Sequence, residues 1–142
     1  MIRAFKQSDL PVVMKIWFET NVNAHRFISE EYWTSHYEAV KAALPEAELY
    51  VYEEECGGRI AGFIGLTDNY IAGLFVKAEA QSKGIGTQLI DYAKRQKETL
   101  QLSVYKKNVR AAAFYQREGF RIQSENTDCG TGEAELLMIW NR

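Results

Sequence analysis

Two closely spaced glycines in the middle of the chain constrain its fold more than any other feature. A β-rich run at 70–76 is followed by Gln-Ser-Lys-Gly-Ile-Gly-Thr at 81–87, and then by a segment with helical periodicity. Glycine lets the backbone approach a ligand closely, and the first turn of a helix carries unpaired N–H groups at the positive end of its dipole. This strand–loop–helix pattern predicts a binding site for an anion such as a phosphate.

The spacing of the glycines separates this loop from two other phosphate-binding loops. A dinucleotide-binding fingerprint needs a third glycine where Leu89 stands. The Walker motif places its lysine after the glycines at the start of the helix, whereas Lys83 precedes both. The pattern that remains is Gln-x-x-Gly-x-Gly at 81–86. Its alternative interpretation is a tight turn without a ligand, although a turn does not need two glycines at this spacing.

The rest of the chain alternates between strand and helix signals. Helices are indicated after Ser8, after Ser29 as far as Pro45, at 84–97 and at 109–118. Strands are indicated at 2–5, 49–54, 60–67, 70–76, 100–104, 120–126 and 134–140. Hairpins imply antiparallel pairing and single-helix connections imply parallel pairing, so we expect an α/β protein with a mixed sheet and helices on both faces.

Composition and charge narrow the class of protein. A chain of 142 residues that is 46% apolar can form one core but is short for two ordinary domains, so we expect a single domain at 1–142. A net charge of −2 does not suggest a nucleic-acid binder. The apolar run at 136–140 is far shorter than the ~20 residues that cross a bilayer, so no membrane contact is expected.

Cysteine and histidine usage bears on location and metal content. Cys56 and Cys129 each precede a glycine in a predicted turn and form no disulfide framework, which fits a reducing cytoplasm. Together with His25 and His36 they show no spacing typical of metal ligands, so we expect no metal site.

A second motif lies downstream at 108–120 and reads Asn-Val-Arg-Ala-Ala-Ala-Phe-Tyr-Gln-Arg-Glu-Gly-Phe. With the glycine loop, it makes the chain resemble the GNAT superfamily of acetyl-CoA-dependent N-acetyltransferases, and in particular its small single-domain bacterial members. The resemblance is clearest from about residue 60 to residue 120. It implies the GNAT fold (α/β, α+β): a mixed, mostly antiparallel sheet of about seven strands, flanked by four helices, with splayed central strands.

The resemblance also implies acetyl-CoA as co-substrate. Its pyrophosphate would lie on the amides of 81–87, and backbone groups of the strand that ends at Val76 would bind the pantetheine arm and the thioester oxygen. Arg110 and Lys107 are candidates for the distal phosphate. The implied cofactor contacts are Leu74, Phe75, Val76, Gln81, Ser82, Lys83, Gly84, Ile85, Gly86, Thr87, Asn108 and Tyr115.

Tyr115 is the expected general acid in a direct transfer to a primary amine. A phenol with a pKa near ~10 can protonate a departing thiolate with a pKa of about 8.5. The alternatives are that Tyr115 forms a core pair with Phe114, and that Asn108 only caps the following helix. At the level of function, the alternative is a non-catalytic acyl-CoA-binding or sensing module with the same fold.

The acceptor side is less defined by the sequence. His25 is a candidate base, although a structural histidine is the interpretation that the sequence favours. The expected groove residues around the junction of the first two helices are Phe27, Glu30, Glu31 and Trp33. The acidic pair can equally serve the helix dipole. The acceptor is expected to be an amine-bearing small molecule or a protein or peptide, and the chain a monomer or a homodimer.

Overall fold

A computed structural model describes residues 1–142, and one seven-stranded sheet contains every strand of the protein. The strands are β1 Ile2–Ala4, β2 Glu48–Glu53, β3 Ile60–Thr67, β4 Tyr70–Val76, β5 Thr99–Tyr105, β6 Arg121–Thr127 and β7 Ala134–Asn141. Their order across the sheet is β1-β2-β3-β4-β5-β7-β6. The helices are α1 Leu10–Ala24, α2 Glu30–Ala43, α3 Ile85–Gln96 and α4 Val109–Arg117.

The pairing of β4 with β5 sets the shape of the sheet. It is the one parallel pair, because α3 carries the chain across the sheet between the two strands. Its paired positions are Tyr70 with Gln101 and Ile71 with Leu102, both at the start of β4. Beyond Ile71 the two strands separate. The predicted fold class, a mostly antiparallel seven-stranded sheet with four helices and splayed central strands, is confirmed.

Two apolar cores lie on opposite faces of the sheet. One joins α3 and α4 to β5 and β7, with Leu89, Leu102 and Met138 fully buried. The other joins α1 and α2 to β2 and β3 and includes Met14 and Phe63. Alternate residues of each strand supply the two cores, as the pleat requires.

The start of α1 differs from the predicted one. Ser8 lies in a 3₁₀ turn at Gln7–Asp9, and the α-helix begins at Leu10. The Asp9 carboxylate accepts the Lys6 N–H at 2.8 Å and two hydrogen bonds from the Arg3 guanidinium at 2.9 and 3.0 Å. The expected Ser8 cap is therefore absent, and the Asp9 carboxylate ties the turn before α1 to Arg3 and Lys6 without capping the helix.

Helix α1 ends later than the sequence predicts, whereas α2 begins and ends close to the predicted positions. Asn21, where the helical period fades, lies within α1, and its buried Nδ2 donates to the Trp17 carbonyl at 2.9 Å. Ser29 occupies the N-cap of α2 without a side-chain hydrogen bond, and Pro45 falls in the 3₁₀ turn that follows Ala43.

None of the four helices combines the length and the apolarity needed to cross a bilayer.

Leu89→Ala tests the core between α3 and the sheet. Because Leu89 is fully buried, the truncation should lower the free energy of unfolding by about 2–5 kcal/mol in urea denaturation. Ile122→Ala is the matched control, since Ile122 is 48% exposed on β6, and should change stability by less than about 1 kcal/mol. Equal losses in the two variants would contradict this assignment of the core.

Candidate active site

The gap between β4 and β5 exposes backbone groups of β4. The Lys77 N–H donates to the Ala61 carbonyl at 2.9 Å, so the backbone N–H and C=O groups of Lys77 point toward β3. By alternation, the backbone groups of Phe75 point toward β3 too. Leu74 and Val76 consequently direct their N–H and C=O groups toward the gap, where β5 does not pair with them. The Val76 carbonyl accepts a hydrogen bond from Gln81 Nε2 at 2.9 Å.

The glycine loop presents a run of unpaired amides beside this gap. Gly84 caps α3 in the left-handed region at φ 83°, and Ser82 also has a positive φ of 65°. None of the backbone N–H groups of residues 82–87 donates a hydrogen bond within the chain. These amides lie at the positive end of the α3 dipole, so the loop is a site for an anion.

Helix α4 packs against the loop and fixes its position. A Cβ on Gly86 would lie 3.2 Å from the Phe114 ring, so the absence of a side chain permits this close approach. Thr87 Oγ1 donates to Glu118 at 3.0 Å, and Arg110 Nη2 donates to Ser82 Oγ at 3.2 Å. The Arg110 guanidinium therefore lies beside the unpaired amides and adds positive charge there.

A cleft of about 1380 Å³ connects the loop, the gap and the face of the sheet that carries α1. Lys83 is exposed and does not line it. The other expected cofactor contacts all do: Leu74, Phe75, Val76, Gln81, Ser82, Gly84, Ile85, Gly86, Thr87, Asn108 and Tyr115. Residues that are separate in sequence thus surround one continuous space.

Tyr115 belongs both to the core and to the cleft. Its ring packs edge-on against Phe114 and Phe120, with centroids 5.2 and 5.8 Å away, and 9% of the residue is exposed. The hydroxyl makes no hydrogen bond within the chain and is not fully enclosed. Burial raises the pKa of the phenol above its ordinary value, so Tyr115 is protonated at neutral pH.

Asn108 joins the start of α4 to the end of α1. Its Oδ1 accepts the Ala111 N–H at 3.3 Å, which makes it the N-cap of α4, and its Nδ2 lies 3.2 Å from His25 Nε2. Because the cap commits Oδ1, the amide nitrogen faces the histidine, and this network assigns the proton of His25 to Nδ1. Burial lowers the pKa of His25, so the ring is neutral and its acceptor nitrogen is engaged by Asn108.

The four expected groove residues do not line the cleft. Trp33 is 7% exposed and packs edge-on against Trp17, with ring centroids 6.0 Å apart. Phe27 packs against His25. Glu30 and Glu31 are exposed in the first turn of α2, where they complement the helix dipole.

Lys107, the other candidate for the distal phosphate, lies away from the glycine loop. Its Nζ pairs with Glu133 at 3.0 Å and lies 5.5 Å from the centroid of the Phe27 ring. Of the two cations that the sequence suggests for a phosphate, only Arg110 is next to the unpaired amides.

The sequence does not identify Tyr105 and Glu135 as residues of the cleft. Tyr105 at the end of β5 pairs in register with Glu135 on β7, and both line the cleft. Tyr105 donates to Asp128 Oδ2 at 2.5 Å. Alternation along β7 predicts that Glu135 and Leu136 face opposite sides of the sheet. The position of β7 beside β5, which brings Glu135 next to Tyr105, follows from the sheet order and not from local sequence.

Comparison with known proteins agrees with this arrangement. The profile of a family described as "Acetyltransferase (GNAT) domain" matches residues 45–122. The peptidyl-lysine N-acetyltransferase YiaC of Escherichia coli (strain K12) is 34% identical, covering 99% of this chain and 93% of YiaC. The peptidyl-lysine N-acetyltransferase YjaB of the same strain is 30% identical, covering 91% of this chain and 88% of YjaB.

Solved structures give the same result. The solution structure of apo-form YjaB from Escherichia coli matches with a TM-score of 0.88 at 27% identity, over 99% of this chain and 96% of that one. The PaiA N-acetyltransferase from Thermoplasma acidophilum, in complex with coenzyme A, matches with a TM-score of 0.81 over 100% and 98%. At 21% identity, the second likeness concerns the fold alone. The matches define an acyltransferase, and the chain belongs to the GNAT family of N-acetyltransferases.

Asn108→Ala tests the cap of α4. Loss of the Oδ1 acceptor leaves the Ala111 N–H without a partner and should lower the free energy of unfolding by about 1 kcal/mol. Asn108→Asp keeps a cap acceptor and should lose less than half as much. Urea denaturation of both variants checks this, and an Ala variant as stable as the parent protein would contradict the capping role.

Proposed function

We propose that this protein transfers the acetyl group of acetyl-CoA to the ε-amine of lysine residues in peptides or proteins. The observation that carries the proposal is the run of unpaired amides at 82–87, placed directly beside the gap between β4 and β5. The relatives YiaC and YjaB, which are named peptidyl-lysine N-acetyltransferases, support the acceptor class.

We expect acetyl-CoA to bind in the cleft in one orientation. Its diphosphate would accept hydrogen bonds from the amides of 82–87, with Arg110 adding positive charge. The pantetheine arm carries amide groups that can pair with the strand groups that Leu74 and Val76 direct into the gap. The arm would thus complete β4 on the side that β5 leaves open, and the thioester would lie within the gap. The coenzyme A complex of PaiA, which shares the fold, supports this choice of co-substrate.

The acceptor would approach from the opposite face of the sheet. Helix α1 packs over β3 and β4, while the neighbouring part of this face, around Tyr70, Ala72 and Ser103, is exposed and lines the cleft. A long, unbranched lysine side chain can reach from this open face into the gap. The amine would then attack the thioester carbon directly, without an acetyl-enzyme.

Tyr115 would serve as the general acid. Its buried phenol is protonated at neutral pH and its hydroxyl has no partner in the chain, so the proton is available to the thiolate that leaves. A backbone N–H at the end of β4 would stabilise the oxyanion of the tetrahedral intermediate. Neither Cys56 nor Cys129 is needed, since both are exposed and neither lines the cleft.

Gly84→Ala tests the anion site. Alanine at a φ of 83° costs roughly 1–2 kcal/mol, and relief of this strain would turn the amides of the loop. The dissociation constant for CoA, measured by calorimetry, should rise about tenfold.

Gly57→Ala is the matched control. Gly57 has a φ of 85°, and at both Gly57 and Gly84 an added Cβ would meet no other atom within 4 Å. The Gly57 variant should therefore lose the same stability and bind CoA normally. Equal CoA affinity in the two alanine variants would contradict the placement of the diphosphate.

Tyr115→Phe tests the reaction itself. Release of the CoA thiol is followed with an N-terminally blocked peptide that contains one lysine, and the same peptide with arginine is the control. The parent protein should turn over only the lysine peptide. The Phe variant should bind CoA normally, because the hydroxyl has no partner, and its kcat should fall about 10²-fold or more.

The outcomes separate the enzyme from a binding module. A parent protein that binds CoA but releases no thiol with the lysine peptide would favour the non-catalytic acyl-CoA-binding module. A Phe variant with unchanged kcat would contradict the role of Tyr115 and leave the acceptor assignment intact.

A further inference from the structure

Glu135 is a carboxylate without a partner at the level of the expected reaction centre. The last pair between β4 and β5 joins Ile71 to Leu102. A β-bulge adds one residue to β4 just after Ile71, so a count along the parallel strands brings Phe75 level with Tyr105. Tyr105 pairs in register with Glu135 on β7. Glu135 therefore lies one strand away from the gap, level with the part of β4 whose Leu74 and Val76 backbone groups face the gap, and it lines the cleft.

The Glu135 side chain projects from the face of the sheet that carries α1 and α2. Leu136 and Met138, its neighbours along β7, belong to the core under α3 and α4, and alternation turns Glu135 to the other face. This is the face from which the acceptor would approach, and it is opposite the core that contains Tyr115. Glu135 and Tyr115 thus lie on opposite faces of the sheet.

Glu135 is held half-buried without a hydrogen bond or an ion pair. The titratable groups around it are Tyr105 from β5, Asp128 from the β6–β7 loop, Tyr32 from α2 and His25 from the end of α1. None of these supplies a positive charge, since the histidine is neutral. Burial first, and the charge of Asp128 second, raise the pKa of Glu135 above its ordinary value.

His25 is less suited to accept a proton from the substrate. Its Nε2 already lies 3.2 Å from the Asn108 amide nitrogen, and its Nδ1 is buried. If Nε2 took up a proton, Nε2 and the Asn108 amide nitrogen would both be donors, and the hydrogen bond between them would be lost. Glu135, in contrast, has free oxygens in the cleft.

We propose that Glu135 is the general base that takes a proton from the ammonium group of the acceptor lysine. This inference rests on the proposed function. The ammonium carries three protons and the product amide keeps one. One proton passes to Glu135 and then to solvent. The N–C bond forms as the C–S bond breaks, Tyr115 protonates the thiolate, and the second proton of the amine returns to Tyr115. The sum is ammonium plus acetyl-CoA giving amide, CoA and one proton.

Glu135→Gln tests this role because glutamine keeps the shape and removes the basicity. With the lysine peptide at pH 7, kcat should fall about 10²-fold, while the affinity for CoA stays unchanged. The deficit should shrink as the pH rises toward the lysine pKa of about 10.4, because more of the amine is then neutral without a base. Glu135→Asp, which keeps a carboxylate, should recover part of the rate.

Glu125→Gln is the matched control. Glu125 lies on the adjacent strand β6, pairs with Lys106 at 3.0 Å and does not line the cleft, so its variant should turn over like the parent protein. A Glu135→Gln variant within threefold of the parent, or one whose deficit is the same at every pH, overturns the inference. A parent protein inactive with the lysine peptide overturns the proposed function as well, so the two failures are distinguishable.

Discussion

The separation of β4 from β5 is the constraint on which the rest of the structure depends. Parallel pairing ends at Ile71, so the following part of β4 keeps unpaired backbone groups in the middle of a sheet. Such groups are costly when buried and are stable where water or a ligand can reach them. The cleft meets this requirement, because it opens the sheet at its centre and leaves strand pairing intact on both sides. A binding site is thereby built into the topology.

Helices α3 and α4 turn this opening into a site with distinct chemistry at each end. The start of α3 directs the amides of 82–87 at one end, and Gly86 lets α4 approach so that Phe114 and Tyr115 lie along the cleft. At the other end, Asn108 links α4 to His25 on the face that carries α1. Burial raises the pKa of both Tyr115 and Glu135, which keeps the phenol protonated and makes the carboxylate more basic. In the proposed reaction, the phenol therefore serves as the acid and the carboxylate as the base.

Local sequence predicts those parts of the fold that local chemistry determines. The glycine loop, the helix that follows it and the strands up to Val76 agree with the structure because turn residues and periodicity specify them directly. The insertion of β7 between β5 and β6 depends on long-range pairing, so sequence reasoning misses Glu135. Trp33 shows the opposite difficulty: an aromatic residue near the helix junction suggests a groove, but packing against Trp17 buries it in the core. Ser8 does not cap α1, since the chain first forms a 3₁₀ turn whose Asp9 carboxylate binds Arg3 of β1.

The amide spectrum of the ¹⁵N-labelled protein during titration with CoA shows whether the amides of 82–87 bind the diphosphate. Hydrogen bonds from the amides of 82–87 to a diphosphate should move their proton signals downfield, and by more than those of the turn at 130–132, which also contains glycines but does not line the cleft. Signals from 82–87 that do not change while CoA binds, with the main shifts in another segment, would contradict the account.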